Sequence, residues 1–473
     1  METSRLRRGR RQAARLALYG SLAVVTALAF ALVRMFDRPL QPPRATERWI
    51  ERDYENMPEV QLLQRYVQID TTEETGDEAA GARFLAKRLA AAGIEAQVEV
   101  LGGKHANLYA LLPGEDPHPL VLHSHLDVAA VDPKEWFSPP FAARIDRPWI
   151  YGRGVFDMKS IAIAQLLAMI DLKRSGKPLK RSVLLLGTGG EESGSELGAL
   201  WVLARHPELV RSFWAVLSEG GAVEARARDD IKYWGTEFAQ KRFAELWICG
   251  GSREELSSLR QTLLEAGRTA NDLRLVAEAR THLAAYGPTR DSAELRQLLA
   301  RPEELTSDLA AFRKLPDYLR SMLRDETVPF AVQEAPGGGF QMLVLLHVLP
   351  GEEPAAVRDR LVPAWMTHGL LTVFRTEPSA GAGSPTEHPV FREIQSLLRE
   401  QYPGVVAGPV FLPWTKTDSR FFRAVGVPSY GFSPFLILST DTLQVDKANE
   451  RMSLPGYVQG VELYRLLVRR LVL

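Results

Sequence analysis

The chain has 473 residues, of which 58 are basic and 58 acidic, and it contains one cysteine, Cys249. Zero net charge without an extended basic patch beyond the N-terminus argues against a nucleic-acid partner. A lone cysteine excludes intramolecular disulfides and cysteine-based zinc fingers, and this length calls for two domains or one large interrupted one.

Residues 1–47 stand apart. Arg5, Arg7, Arg8, Arg10, Arg11 and Arg15 precede an uncharged, mostly apolar run from Leu16 to Val33. Such a run is about long enough to cross a bilayer as a helix. The basic cluster would stay cytoplasmic and place everything after Arg34 on the far side. Ala29-Phe30-Ala31 has the small-x-small pattern of a signal-peptide cleavage site, but the run is long for a signal peptide, which favours an uncleaved transmembrane anchor. Either way the folded part is expected outside the cytoplasm, periplasmic or extracellular/lumenal, behind a stiff linker marked by Pro39, Pro42 and Pro43.

Residues 48–240 alternate helix and strand patterns. Asn56–Gln68 and Thr75–Ala92 read as helices, and Glu95–Leu101, Leu108–Leu112, Leu120–His123 and Val183–Leu186 as short strands. Ile161–Ser175 reads as a crossover helix, which implies a mostly parallel sheet. Residues 241–378 change character and read as an α+β insertion. Phe243–Gly250, Gln341–Leu349 and Leu370–Thr376 are expected as strands, Arg253–Ala266 and Glu353–Leu361 as helices, and Asn271–Arg324 as helical throughout. Ser379–Pro385 is a Gly/Ser linker, and residues 379–473 read as α/β again.

Acidic clusters follow the apolar runs. His125-Leu126-Asp127 comes after Pro119–Leu122, Glu191-Glu192 after Ser182–Gly190, and Glu219 after Ser212–Leu217. Asp157 lies between the first two, in the turn Tyr151–Lys159. Carboxylates at strand ends are costly to desolvate without a positive partner, and in open α/β sheets that edge is where ligands bind. His with several carboxylates there points to a divalent metal site of hydrolytic type. Each cluster has a bland alternative: a hydrogen-bonded loop pair, a solvated helix N-terminus, or a turn. Their shared order at strand ends favours the site. No Gly-x-Ser-x-Gly supports a serine esterase, and no P-loop is present.

These residues also carry a resemblance. His123-Ser124-His125-Leu126-Asp127-Val128, Glu135-Trp136 with Pro139-Pro140-Phe141, and Gly152-Arg153-Gly154 with Asp157-Met158-Lys159 resemble the zinc peptidase family of carboxypeptidase S, glutamate carboxypeptidase and the aminoacylases. So do Glu191-Glu192-Ser193-Gly194, Ser218-Glu219-Gly220-Gly221, Thr417–Phe422 and Tyr430–Pro434. The likeness runs from about Arg48 to the C-terminus and is nearest the N-acyl-amino-acid hydrolase branch. It implies an α/β fold in which a mostly parallel-sheet catalytic domain with helices on both faces is interrupted by a smaller lid.

The resemblance further implies two zinc ions and a metal-dependent amidohydrolase or exopeptidase acting on a small peptide or an N-acyl amino acid. His125 and Glu219 would hold one ion, Glu192 the other, and Asp157 would bridge both. Asp127 would orient His125 through a hydrogen bond, and Glu191 would be the general base acting on the attacking water. Some relatives pair through the lid, which leaves a homodimer open.

Three departures stand out. The family's last metal ligand is a His shortly before an Asn-Glu-Arg-like signature. Here Asn449-Glu450-Arg451 is preceded by Asp446, a carboxylate that can also ligate zinc but is a harder donor that moves preference toward a metal such as manganese; a single ion in place of two is the other cofactor alternative. The lid stretch Trp247–Arg253 lacks the oxyanion-stabilising His of relatives. Before Leu349-Pro350-Gly351, relatives carry an Arg where this chain has His347, either a substitute or a structural residue. The alternative is therefore a divergent, catalytically impaired relative that binds a peptide-like ligand.

Overall fold

The computed structural model describes residues 53–72, 75–266, 272–378 and 382–473. The expected anchor and its proline linker lie outside the described residues, as do 379–381 of the Gly/Ser linker. Among the described residues no helix is long and apolar enough to cross a membrane.

Eight strands of the large sheet run in the spatial order Gln97–Leu101, His105–Leu112, Arg181–Thr188, Asp116–His125, Ala215–Ser218, Ser429–Gly431, Asp230–Gln240 and Ala407–Leu412. A ninth, Ala222–Ala227, pairs with Asp230–Gln240. The central four, from Arg181–Thr188 to Ser429–Gly431, are parallel, and Ala407–Leu412 is parallel to Asp230–Gln240. The remaining pairs are antiparallel. The sheet is therefore mixed, which corrects the expectation of a mostly parallel one. Gly102-Gly103-Lys104 and Arg228-Asp229 are links too short for a crossover, so their flanking strands can only fold back antiparallel.

The central strands read as unbroken apolar runs because both their faces are covered. Successive side chains point to opposite sides. Leu120, Leu122, Val183, Leu185, Ala215 and Leu217 therefore enter one core. Val121, Leu184, Leu186 and Val216 enter another, against the helices Ala199–Arg205, Pro207–Arg211 and Ser419–Ala424. The first core is sealed by Pro58–Val67, Glu78–Ala91, Ser160–Ser175 and the C-terminal Leu454–Val472. Ser160–Ser175 is buried nearly all round and stops at Gly176, whose φ of +63° ends the helix without a Cβ clash. Asp77 caps Glu78–Ala91 by accepting from the Ala80 N–H at 2.9 Å, and Ser453 caps the C-terminal helix.

A second, antiparallel sheet has the order Glu326–Pro329, Phe340–Val348, Arg242–Cys249 and Leu371–Thr376. Ala244, Leu246, Ile248, Met342, Val344 and Leu346 face the helices Arg253–Ala266 and Pro354–Leu361. The alternate side chains Phe243, Glu245, Leu345, His347 and Arg375 face a cavity shared with the large sheet. Asn271–Arg324 is not one helical run: Ala277–Tyr286, Ala293–Leu299, Leu309–Arg313 and Asp317–Ser321 are separate helices. Pro288, Pro302 and Pro316 lie in the breaks between them, as proline's missing N–H requires. Ala279, Leu283, Leu299, Phe312 and Leu319 from these helices join the core of the large sheet rather than that of the smaller one.

Candidate metal centre

The candidate residues arrive from loops at the same edge of the large sheet. His125 ends its strand, Glu219 follows Ala215–Ser218, and Glu191 follows Arg181–Thr188 through Gly189 and Gly190. Asp157 lies in the turn Val155–Lys159, which opens directly into the helix Ser160–Ser175. The neighbouring strand comes so close to Glu219 that a Cβ on Gly431 would stand 2.2 Å from the Glu219 carbonyl oxygen. Only glycine lets the C-terminal half of the chain close the sheet at that point.

His125 is the hub. Its Nδ1 lies 3.0 Å from the Asp127 carbonyl oxygen, its Nε2 is 2.9 Å from Asp157 Oδ1 and 3.6 Å from Glu219 Oε2. A proton on Nδ1 donated to the Asp127 carbonyl leaves Nε2 directed at the carboxylates, the geometry a ligating imidazole needs. Asp127 thus orients His125 through its main chain. Its side chain does something else: Oδ2 accepts from the Glu192 N–H at 2.8 Å, while Oδ1 stands 3.5 Å from His125 Nδ1. Single ligand atoms of His125, Glu191 and Glu219 lie within 4.8 Å of one another.

Asp446 reaches the same cavity wall as Asp157, Glu191, Glu192 and Glu219. It adopts φ +57°, and its Oδ1 lies 3.6 Å from Arg153 Nη1.

So many carboxylates in one place are mutually destabilising. Burial, then repulsion from Asp418, pushes Glu191 up to about 8. Glu192 faces the open cleft, yet desolvation by the protein around its carboxyl and the Asp157 charge push it up to about 9. Burial and Asp157 push Glu219 well up, and Asp446 rises to about 6 for the same two reasons. Burial opposes ionisation of Asp157, but the hydrogen bond and charge of His125 outweigh it and hold its carboxyl below the usual range. Burial likewise disfavours the His125 cation, but Glu219, Asp127 and Asp157 together raise it well above an ordinary histidine. Asp127 Oδ1 and Glu191 Oε1 are buried without a hydrogen-bond donor. One imidazole and several converging carboxylates, two with orphaned buried oxygens, form a donor set suited to divalent cations.

Around this centre lies a cavity of about 760 Å³. Phe243, Leu345, Leu412, Trp414, Phe435 and Ile437 supply apolar walls. Arg375 lines the same space, is exposed, and forms no ion pair among the described residues. Of the lid strand that lacks the expected histidine, Phe243, Ala244 and Glu245 reach the cavity. His347 also lines it, but its ring packs edge-on against Phe243 at 4.8 Å between centroids. Burial and the nearby Lys241 push its imidazole down to about 4, so it carries no charge at neutral pH.

Sequence reading missed two arginine–carboxylate pairs beside the site. Arg153 Nη1 donates to Glu450 at 2.7 Å. Arg420 donates to Glu377 through Nε at 2.7 Å and Nη2 at 3.0 Å. Arg153 and Glu450 both fell within quoted motifs, but nothing local pairs residues 297 positions apart.

The model of peptidase family M20/M25/M40 matches residues 121–470. The chain belongs to this family. Aminoacylase-1A of Rattus norvegicus is 26% identical over 430 residues, covering 88% of this chain and 95% of the relative. An N-fatty-acyl-amino acid synthase/hydrolase of Xenopus tropicalis is 26% identical over 406 residues, covering 79% and 76%. Among solved structures, an M20 family metallo-carboxypeptidase from Sulfolobus solfataricus aligns with a TM-score of 0.67 at 17% identity, covering 87% of this chain and 99% of that one. The M20 fold of a large sheet with helices on both faces is thus shared.

Proposed function

We propose that this protein is a metal-dependent amidohydrolase that cleaves the amide bond of a dipeptide or an N-acyl amino acid. The observation that carries this reading is the gathering of Asp157, Glu191, Glu192 and Glu219 around one cavity at the sheet edge, with the buried His125 against Asp157 at 2.9 Å and Glu219 at 3.6 Å. Family membership and the aminoacylase relatives support the same reaction class.

In this reading His125 and Glu219 would hold one cation, Glu192 and Asp446 would hold the other, and Asp157 would contribute to both. Zinc fits the histidine side, and the carboxylate at Asp446 also suits a harder ion such as manganese. Two such ions supply Lewis-acid polarisation of the amide carbonyl and acidify the attacking water.

The protein's own groups do the rest. Asp127 holds the Glu192 main chain and the His125 ring in register. Glu191, with Oε1 unpartnered and Arg420 Nη1 at 3.8 Å, accepts a proton from the attacking water. The hydroxyl adds to the carbonyl carbon, the C–N bond breaks, and Glu191 returns the proton to the leaving nitrogen. Arg375 receives the substrate carboxylate, and the apolar walls receive its acyl or side-chain part. The N-terminal segment serves as a membrane anchor that exports the catalytic part, supported by the Arg-rich start and the apolar run Leu16–Val33.

A binding-only relative is the second reading, favoured by the absence of a histidine from the lid strand lining the cavity. The purified full-length protein separates the two readings. Its metal content and its hydrolysis of a panel of dipeptides and N-acyl amino acids, before and after chelation, should show bound ions and chelator-sensitive release of amino acid. Ligand binding without turnover under any metal supports the second reading.

A further inference from the structure

Behind the candidate ligands lies a buried ion pair that ties their loops together. Glu450 is fully buried. Its two oxygens accept from the main-chain N–H groups of Gly154 at 3.2 Å, Phe156 at 2.8 Å and Asp157 at 3.2 Å, and from Arg153 Nη1 at 2.7 Å. The Glu450 carbonyl takes the Gly152 N–H at 3.1 Å. Every free N–H along the Gly152–Asp157 turn except that of Arg153 and Val155 therefore points at one residue from the far end of the chain. Those two donate to Pro140 and Gly152 carbonyls.

Arg153 carries the connection onward. Its Nη2 donates to the carbonyls of Asp446 at 3.1 Å and Ala130 at 3.3 Å, and Nη1 lies 3.6 Å from the Asp446 carboxylate. Asp446 has a left-handed backbone (φ +57°), a conformation that aspartate tolerates better than most non-glycine residues. Arg153 grips both the carbonyl and the side chain of that residue.

A buried ion pair is weak support for stability, because desolvation offsets most of the attraction. A neutral, well-packed pair would hold the fold as well. What a charged fork adds is direction: it aims two loops from distant parts of the sequence, and it places a positive charge beside Asp446.

We propose that Arg153 and Glu450 are positioning residues of the metal centre. Glu450 sets the turn that presents Asp157, and Arg153 locks Asp446 and balances its charge, so that the two carboxylates move as one unit. This rests on the reading of Asp157 and Asp446 as ligands.

The test is a titration of zinc and, separately, manganese into metal-stripped full-length protein, with wild type, Glu450→Gln and Arg153→Lys compared by calorimetry. Metal-free melting is recorded alongside. Glu450→Gln keeps the shape and one accepting oxygen but removes the charge. Arg153→Lys keeps a charge but loses the fork. Each variant is expected to weaken the looser of two metal equivalents about 10–100-fold, the usual cost of losing an outer partner of a ligand. Turnover lost at low metal should return when metal is raised.

A purely structural role predicts lower metal-free melting with both dissociation constants unchanged, and that result overturns the proposal. Failure of both variants to fold also assigns the pair to structure and overturns it. Wild-type protein that takes up no ion contradicts the metal-centre reading itself. Wild type with two ions and variants that match it contradicts only the positioning role.

Discussion

Arg420 Nη1 stands 3.8 Å from Glu191 Oε1 while the same guanidinium grips Glu377 through Nε and Nη2. Glu377 directly follows the last strand of the smaller sheet, Leu371–Thr376. The arginine is thus committed to the end of the lid and leaves Glu191 near a positive charge without a hydrogen bond from it. A carboxylate in that position keeps its lone pairs for a proton from water.

Glu191 also leaves a pH signature in the metal-free protein. Its ordinary value of 4.5 rises to about 8 on folding, chiefly through burial. Between those values the folded state holds more protons than the unfolded one, so this group makes stability fall as pH rises. Glu191→Gln removes that dependence. Metal-free Glu191→Gln should match the wild type at about pH 4.5 and melt at a higher temperature at pH 8. Parallel melting profiles across that window contradict a Glu191 carboxyl pushed up by burial.

His125, Glu191, Glu192 and Glu219 all hold protons more tightly than usual. Cations that take their place must displace those protons. Calorimetry near pH 7 in buffers of different ionisation heat should show net proton release on metal uptake. Affinity should weaken steeply between about pH 8 and pH 6. Uptake without proton release would place the ions elsewhere.

Arg375 faces the cavity and forms no ion pair among the described residues. A charged hydrogen bond to a substrate carboxylate is worth roughly 1.5–3 kcal/mol. Arg375→Ala should therefore raise KM for a free-acid substrate on the order of 10–100-fold, with little change in kcat. The same change should leave a substrate whose carboxylate is amidated unaffected. Equal losses on both substrates contradict the assignment.

Asp446→His exchanges an oxygen donor for a nitrogen donor and removes one negative charge. The ratio of zinc to manganese affinity should rise, since imidazole suits zinc and carboxylate suits the harder ion. Competition titrations of the two metals read this directly. An unchanged ratio means that Asp446 does not touch the ion.

Much of the site was legible because acidic residues directly followed buried apolar runs, and strand ends gather at one sheet edge. His125, Glu191, Glu192 and Glu219 could be grouped on that ground, whereas Asp157, in the turn before Ser160–Ser175, follows no such run. The division of labour within Asp127 could not, since its carbonyl serves His125 and its carboxylate serves the Glu192 N–H. Nor could the role of His347. Its charge state depends on Lys241 and Phe243 packing around it, not on its place before Leu349-Pro350-Gly351. The parallel centre of the sheet followed from strand–helix–strand order. Of its antiparallel margins, the one turning at Gly102-Gly103-Lys104 carries a glycine hairpin signal, while the one at Arg228-Asp229 is hidden because that is not one of the dipeptides that announce a hairpin. Which residues of the smaller sheet face the cavity depends on register, and a one-residue slip would exchange Phe243, Glu245 and His347 for their neighbours.

The central claim is that Glu191 serves as the base at a metal centre built on His125, Asp157, Glu192 and Glu219. The most direct measurement pairs metal content with turnover of an N-acyl amino acid in wild type and Glu191→Gln. Both proteins should carry the same ions, and the variant should lose about 10²–10⁴-fold in kcat, the usual worth of a general base. Equal turnover in the two proteins at equal metal content would contradict it.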